Sequence, residues 1–143
     1  MDELREKGLN PLRLILGFTL LSTTLHYAQN VISAASYPPV AGISLGVTQF
    51  LVAFTWVLTT ACGALGYRAY RRGRYWPSLA FLLVYSLSGI GSAGHFLVGV
   101  PQVPAFWFAT IFTDVFASLL LWLFVAWAAS KLNRVISGDQ VST

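Results

Sequence analysis

The chain lacks most of what a soluble enzyme is built from. Only 10% of its 143 residues are charged, against about 25% in an ordinary globular domain. Its single cysteine, Cys62, excludes an internal disulfide, a CxxC redox pair and a thiolate metal cluster. Placed inside an apolar stretch, Cys62 reads as a small buried hydrophobe. Two connections, around residues 37–42 and 100–104, carry no charge at all. No internal repeat relates the two halves of the chain.

What is present is apolar. Hydrophobic residues make up 56% of the chain and the mean hydropathy is +0.67. Four apolar stretches, residues 12–34, 43–65, 78–100 and 105–129, each exceed the roughly 20 residues that a membrane-crossing helix needs. They consume nearly the whole length, so 1–143 reads as a single transmembrane domain, with any activity in or at the bilayer. The nine basic residues fall on one side of these stretches. Arg5, Lys7 and Arg13 come first, then Arg68, Arg71, Arg72 and Arg74, then Lys131 and Arg134. Basic loops stay on the cytoplasmic side. The expectation is an all-α polytopic membrane protein, a four-transmembrane-helix up-down-up-down bundle with N and C termini cytoplasmic, in the plasma (inner) membrane. The pI of 9.6 then reflects juxtamembrane charge, and membrane lipids with anionic headgroups are expected at Arg68–Arg74, with no nucleic acid as partner. Asp2, Glu3 and Glu6 make a poor positive leader, and His26, Gln29 and Asn30 interrupt the apolar run, which argues against a cleaved signal.

Prolines punctuate the ends. Asn10 and Pro11 read as cap and first helical residue of the first span. Tyr37-Pro38-Pro39 stops it, Pro77 opens the third span, and Pro101 and Pro104 pin a short turn. Tyr67, Tyr70, Tyr75 and Trp76 mark one interface and Trp107 the other. Ser88, Gly91 and Ser92 give the third span a small-residue face for close helix packing. The tail from Ser130 reads as frayed.

The informative residues are the polar ones inside the spans. At about 1.5 Å of rise per residue, His26 with Asn30, Gln49, His95 and Asp114 fall into one slab in the half remote from the basic loops. Thr59 and Thr60, in the other half, can satisfy themselves on their own helix. An ionised Asp at mid-span costs about 2.5–3.5 kcal/mol. Asp114, the sole embedded acid, is therefore expected to face the bundle interior, neutral or paired with a protonated histidine.

Four functions are compatible with such a layer. The first is a pocket for a small, largely apolar ligand such as a lipid, isoprenoid, quinone or sterol-like molecule. Tyr27, Asn30, Tyr37, Gln49, Trp56, Phe96 and Trp107 would bind it, and His26, His95 and Asp114 would supply acid–base catalysis if the protein turns its ligand over. The cofactor is unknown; a b-type haem between His26 and His95, or a mononuclear metal at His26, His95 and Asp114, is the second possibility. The third is proton-coupled transport. The fourth is a subunit or assembly factor docking a membrane-protein partner, or a homo-oligomer.

In span count and room for an apolar ligand the chain resembles emopamil-binding-type proteins, without aligned acidic residues. Small multidrug exporters share its length and four spans but carry their acid in the first. Vitamin K reductase-type proteins require a CxxC that is missing here. No residue role is carried over from these likenesses.

Overall fold

The computed structural model describes residues 2–39 and 41–141. Described residues form helices and short connections: α1 (Asp2–Ile32), α2 (Leu45–Arg71), α3 (Tyr75–Ile90), α4 (His95–Val98) and α5 (Ala105–Val141), with 3-10 turns at Ala34–Ser36 and Gly91–Gly94. The backbone stays right-handed helical from α3 through Gly91–Gly94 into α4, so Tyr75–Val98 acts as one rod. Three helices are long and apolar enough to cross a membrane: Leu45–Arg71, Tyr75–Val98 and Ala105–Val135.

The rods form an antiparallel ring. α1 packs on α2 and α5, and α3 packs on α2 and α5, while α1 and α3 barely touch across the centre. The direction is visible in the pairings. The hydroxyl of Tyr70, at the end of α2, donates to the Leu4 carbonyl at the start of α1 (2.8 Å). At the opposite end, Gln49 Nε2 donates to the Val31 carbonyl (2.8 Å). Between α3 and α5, Ser92 meets Asp114 while Trp122 meets Ser86. One end of the ring is therefore basic and holds the start of α1 and the end of α5; the other is uncharged.

The basic end is tightly packed. Leu4, Leu12, Tyr70, Tyr75, Leu79, Leu82, Phe124 and Ala128 belong to one buried cluster. Glycines let the helices approach there. A Cβ at Gly8 would stand 1.9 Å from the Tyr70 hydroxyl, and one at Gly63 would stand 2.6 Å from the Tyr85 ring. Ser78 Oγ donates to the Gly66 carbonyl (2.7 Å), stitching α3 to α2.

α2 is different at its other end. All its buried residues, Thr59, Gly63, Gly66 and Tyr70, lie in its second half. From Leu45 to Leu58 none is buried. The first half of α2 stands away from the ring and leaves space between itself, α1 and α3.

Several expectations are corrected. Helix α1 begins at Asp2, so Pro11 lies inside it and is not its first residue. The segment before Pro11 is held by tertiary contact: Leu4 and Leu12 are buried, and Tyr70 bonds the Leu4 carbonyl. Beyond Ser130 the chain remains helical, through Val141. The third rod is not one uniform α-helix. Gly91 and Gly94, poor helix formers, tighten it into a 3-10 turn at Gly91–Gly94. Thr59 bonds its own helix at the Thr55 carbonyl, but Thr60 Oγ1 is buried with no partner. Val40, within the uncharged connection, lies outside the described residues.

A candidate ligand cavity at the uncharged end

Two polar clusters sit one above the other in the half of the ring remote from the basic residues. The upper one is built on α1, α4 and α5. His26 and Asn30 are one helical turn apart and share a face. The Thr110 hydroxyl donates to the Trp107 carbonyl (2.6 Å) and stands 2.9 Å from His26 Nδ1. With its only proton committed, Thr110 Oγ1 accepts, so the network places the His26 proton on Nδ1. His26 Nε2 then accepts from the Asn30 amide nitrogen at 3.0 Å. The same nitrogen lies 3.2 Å from His95 Nε2 and offers it the second amide hydrogen. One carboxamide thus bridges two imidazoles whose centroids are 5.4 Å apart.

This assignment leaves Asn30 Oδ1 without a partner. Asn30 is only 7% exposed, and its Oδ1 is buried with no hydrogen bond among the described residues. An unmet buried carbonyl of this kind costs about 1–3 kcal/mol. Asn30 also lines a cavity of ≈ 330 Å³. His26, Tyr27, Ser92 and His95 form its polar side, and Leu51, Val52 and Leu87 its apolar side. Leu51 and Leu87 are themselves exposed, so the cavity opens sideways where α2 stands off from the ring.

Tyr37 closes the end of the cluster. Its ring lies 4.7 Å from that of His95, and its hydroxyl donates to Gln29 Oε1. Burial pushes the phenol of Tyr37 up to about 12. The two uncharged connections hold it there: Gln102 N–H donates to the Ser36 carbonyl (3.1 Å). Gly99, with φ +144, brings its backbone against Pro38, where a Cβ would stand 2.9 Å from the ring.

The lower cluster surrounds Asp114, which is fully buried. Its two oxygens accept from Ser22 Oγ (2.5 Å) and Ser92 Oγ (2.9 Å). Ser22 also lies 2.7 Å from Thr113 Oγ1. Of the two expectations, a neutral Asp114 or one paired with a protonated histidine, the second is not met: two serine hydroxyls stand where the histidine would be. Hydrogen bonds to a charged group contribute about 1.5–3 kcal/mol each. Two of them are of the size needed to offset the roughly 2.5–3.5 kcal/mol insertion cost, without a cation. Ser92 joins the clusters, since it lines the cavity and holds Asp114.

The remaining sequence candidates are dispersed. Trp56 lines a neighbouring cavity of ≈ 280 Å³ between α1 and α2, which shares Tyr27 with the first; its indole Nε1 is buried without a partner. Tyr27 spans the two, with its hydroxyl donating to the Ser88 carbonyl (2.9 Å). Gln49 ties α2 to α1 and lines neither cavity. Phe96 packs on Phe108 and Phe112, and Trp107 on Phe106; neither lines the cavities. No group of three or more His, Cys, Asp or Glu side chains is brought together for a metal among the described residues. Ser22, Gln29, Ser92 and Thr110 hold the site in place yet were not singled out as site residues. The spacing of Ser22, His26 and Asn30, four residues apart on one helix, is the signal that finds the first of them.

Against known protein families, curated proteins and solved structures, the chain finds no match. The reading of the site rests on its geometry.

Proposed function

We propose that the chain is a four-span membrane protein that binds a small, largely apolar ligand bearing a hydroxyl or similar donor, in the cavity beside Asn30. α1 counts as the fourth span. Its run is less apolar than the others because of Thr19, Ser22, Thr23, His26, Gln29 and Asn30, and all six are buried. Between Leu14 and Ile32 its exposed large side chains, Leu14, Phe18, Leu20, Leu21, Leu25 and Ile32, are apolar. The charge distribution puts the basic end and both termini in the cytoplasm of a bacterial-type plasma membrane, and the cavity in the opposite leaflet.

The observation that carries the reading is the unpartnered, buried Oδ1 of Asn30, a residue that lines a laterally open cavity. A ligand donor reaching it would complete the Asn30 hydrogen-bond set. The apolar wall of Leu51, Val52 and Leu87 suits a ligand that arrives from lipid. Lipid-like alcohols, isoprenols and reduced quinones have this chemistry. Proton transfer is a reaction the same groups would support once a ligand displaces the Asn30 amide from an imidazole Nε2, with Asp114 standing behind Ser92. A haem held by both imidazoles fits less well, because the Asn30 amide occupies both Nε2 positions.

Native mass spectrometry of the wild type and Asn30→Leu, released from mild detergent, tests the reading. The wild type is expected to carry a stoichiometric apolar small molecule, identifiable after organic extraction. Asn30→Leu is expected to lose it while retaining its melting transition. No adduct in either protein, or equal adduct in both, overturns the proposal.

A further inference from the structure

A second cavity, at the basic end, has a different chemistry. It holds ≈ 280 Å³ between α1 and α2, with Tyr85 of α3 and Thr60 at its back, and Leu16, Leu20, Gly63 and Ala64 make its lining mostly apolar. Arg13 and Tyr67 also line it, and Arg13 Nε donates to the Tyr67 hydroxyl (2.8 Å). Tyr67 is shared with an adjoining basic recess lined by Arg68, Arg71 and Arg72. The Arg71 guanidinium lies over the Tyr67 ring, 5.8 Å from its centroid. An apolar slot thus runs directly into a cluster of cations at the depth where the helices leave the apolar zone.

We infer that this slot is a binding site for one anionic phospholipid, with an acyl chain between α1 and α2 and its phosphate at Arg13 and Arg71. Charge complementarity selects the occupant. Arg13 is exposed and its only hydrogen-bond partners, among the described residues, are the neutral Tyr67 and Asn10. Its guanidinium keeps donors for phosphate oxygens, which the planar fork matches well. A free phosphate would meet the arginines but leave the apolar slot empty. An uncharged lipid would fill the slot but leave the arginines unanswered. Tyr67 sets the junction between the two, as amphipathic rings do at headgroup depth. The site is separate from the Asn30 cavity, and neither reading depends on the other.

The test is native mass spectrometry of the full chain exchanged into detergent with phosphatidylglycerol or phosphatidylcholine of the same acyl composition, monitored for the singly lipidated species. Phosphatidylglycerol is expected to persist as a one-to-one adduct at collision energies that strip phosphatidylcholine. Arg13→Gln is expected to weaken it about five-fold, the effect of one basic residue near an anionic headgroup. Ala64→Phe, which fills the slot and leaves every charge in place, is expected to abolish the adduct. Millimolar inorganic phosphate is expected not to displace it. Equal retention of the two lipids, displacement by phosphate alone, or an unchanged adduct in both variants overturns the inference. If one variant fails to melt cooperatively, the other decides.

Discussion

The two ends of this helix ring solve the same problem in opposite ways. At the basic end, glycines and aromatic rings pack the centre of the ring closely and leave the slot beside Arg13 and Tyr67 on its flank. Gly8 abuts Tyr70, Gly63 abuts Tyr85, and the Tyr70 hydroxyl finds a backbone carbonyl. At the uncharged end, polar side chains bond one another across α1, α4 and α5, while α2 stands away and exposes its side chains. Thus the basic end holds the fold, and the other end keeps a cavity and an unmet carbonyl. Packing is the main force between helices in lipid, so a segment that forgoes it marks where another molecule is accommodated.

Substitutions on the two sides should separate these roles. Tyr70→Ala empties the centre of the basic cluster and removes the hydroxyl bond that ties α2 to the Leu4 carbonyl. It should remove about 3–5 kcal/mol of stability, read as a large fall in the thermal midpoint in detergent. A small change there would mean that the basic end is not the anchor. Ser92→Ala takes one of the two hydroxyls from Asp114 and should cost about 1–3 kcal/mol by the same measurement. Rescue by Ser92→Thr would identify the hydroxyl as the cause. Leu51→Ala, on the exposed wall of the cavity, should change stability by less than about 0.5 kcal/mol, yet weaken ligand retention. If it melts like Tyr70→Ala, the contrast between the ends fails.

The smallest effect is a titration. Burial holds Tyr37 protonated, with a pKa pushed up to about 12 from the ordinary 10. A raised acid favours the folded state most below the unfolded value. The Tyr37 contribution is therefore complete below pH 10 and is lost as pH rises toward 12. The tyrosinate absorbance that distinguishes wild type from Tyr37→Phe should be absent near pH 10 and grow toward pH 12. Its appearance at pH 10 would mean that Tyr37 does not close the cluster.

Much of this architecture is legible in the amino-acid order, and the exceptions have physical causes. Apolar runs locate α2, α3 and α5 because lipid-facing helices must be apolar along their length. The start of α1 is not legible. Pro11 looks like a first helical residue, and only the contact between Tyr70 and Leu4 reveals that the helix precedes it. The 3-10 turn at Gly91–Gly94 is not legible, because its glycines read equally as a close-packing face, and neither is its consequence, which is to bring Ser92 to Asp114. His26, Asn30 and His95 were recognisable as costly groups in lipid. Their bridging through one amide was not, because it depends on how α4 docks against α1. Asp114 reads in the sequence as neutral or paired with a histidine; short hydroxyls are cheap to place and leave little trace in composition, so its serine partners emerge only from packing.

The cavity beside Asn30 is tested most directly by a photoreactive residue at its mouth. Leu87 lines the cavity and is 58% exposed; Leu83, one turn toward the basic end, is exposed at 44% but lines none of the cavities described above. With benzoylphenylalanine at each position in turn, irradiation of intact membranes is predicted to attach one defined apolar small molecule at 87 and only bulk phospholipid at 83. The same phospholipid mixture at both positions would contradict the account.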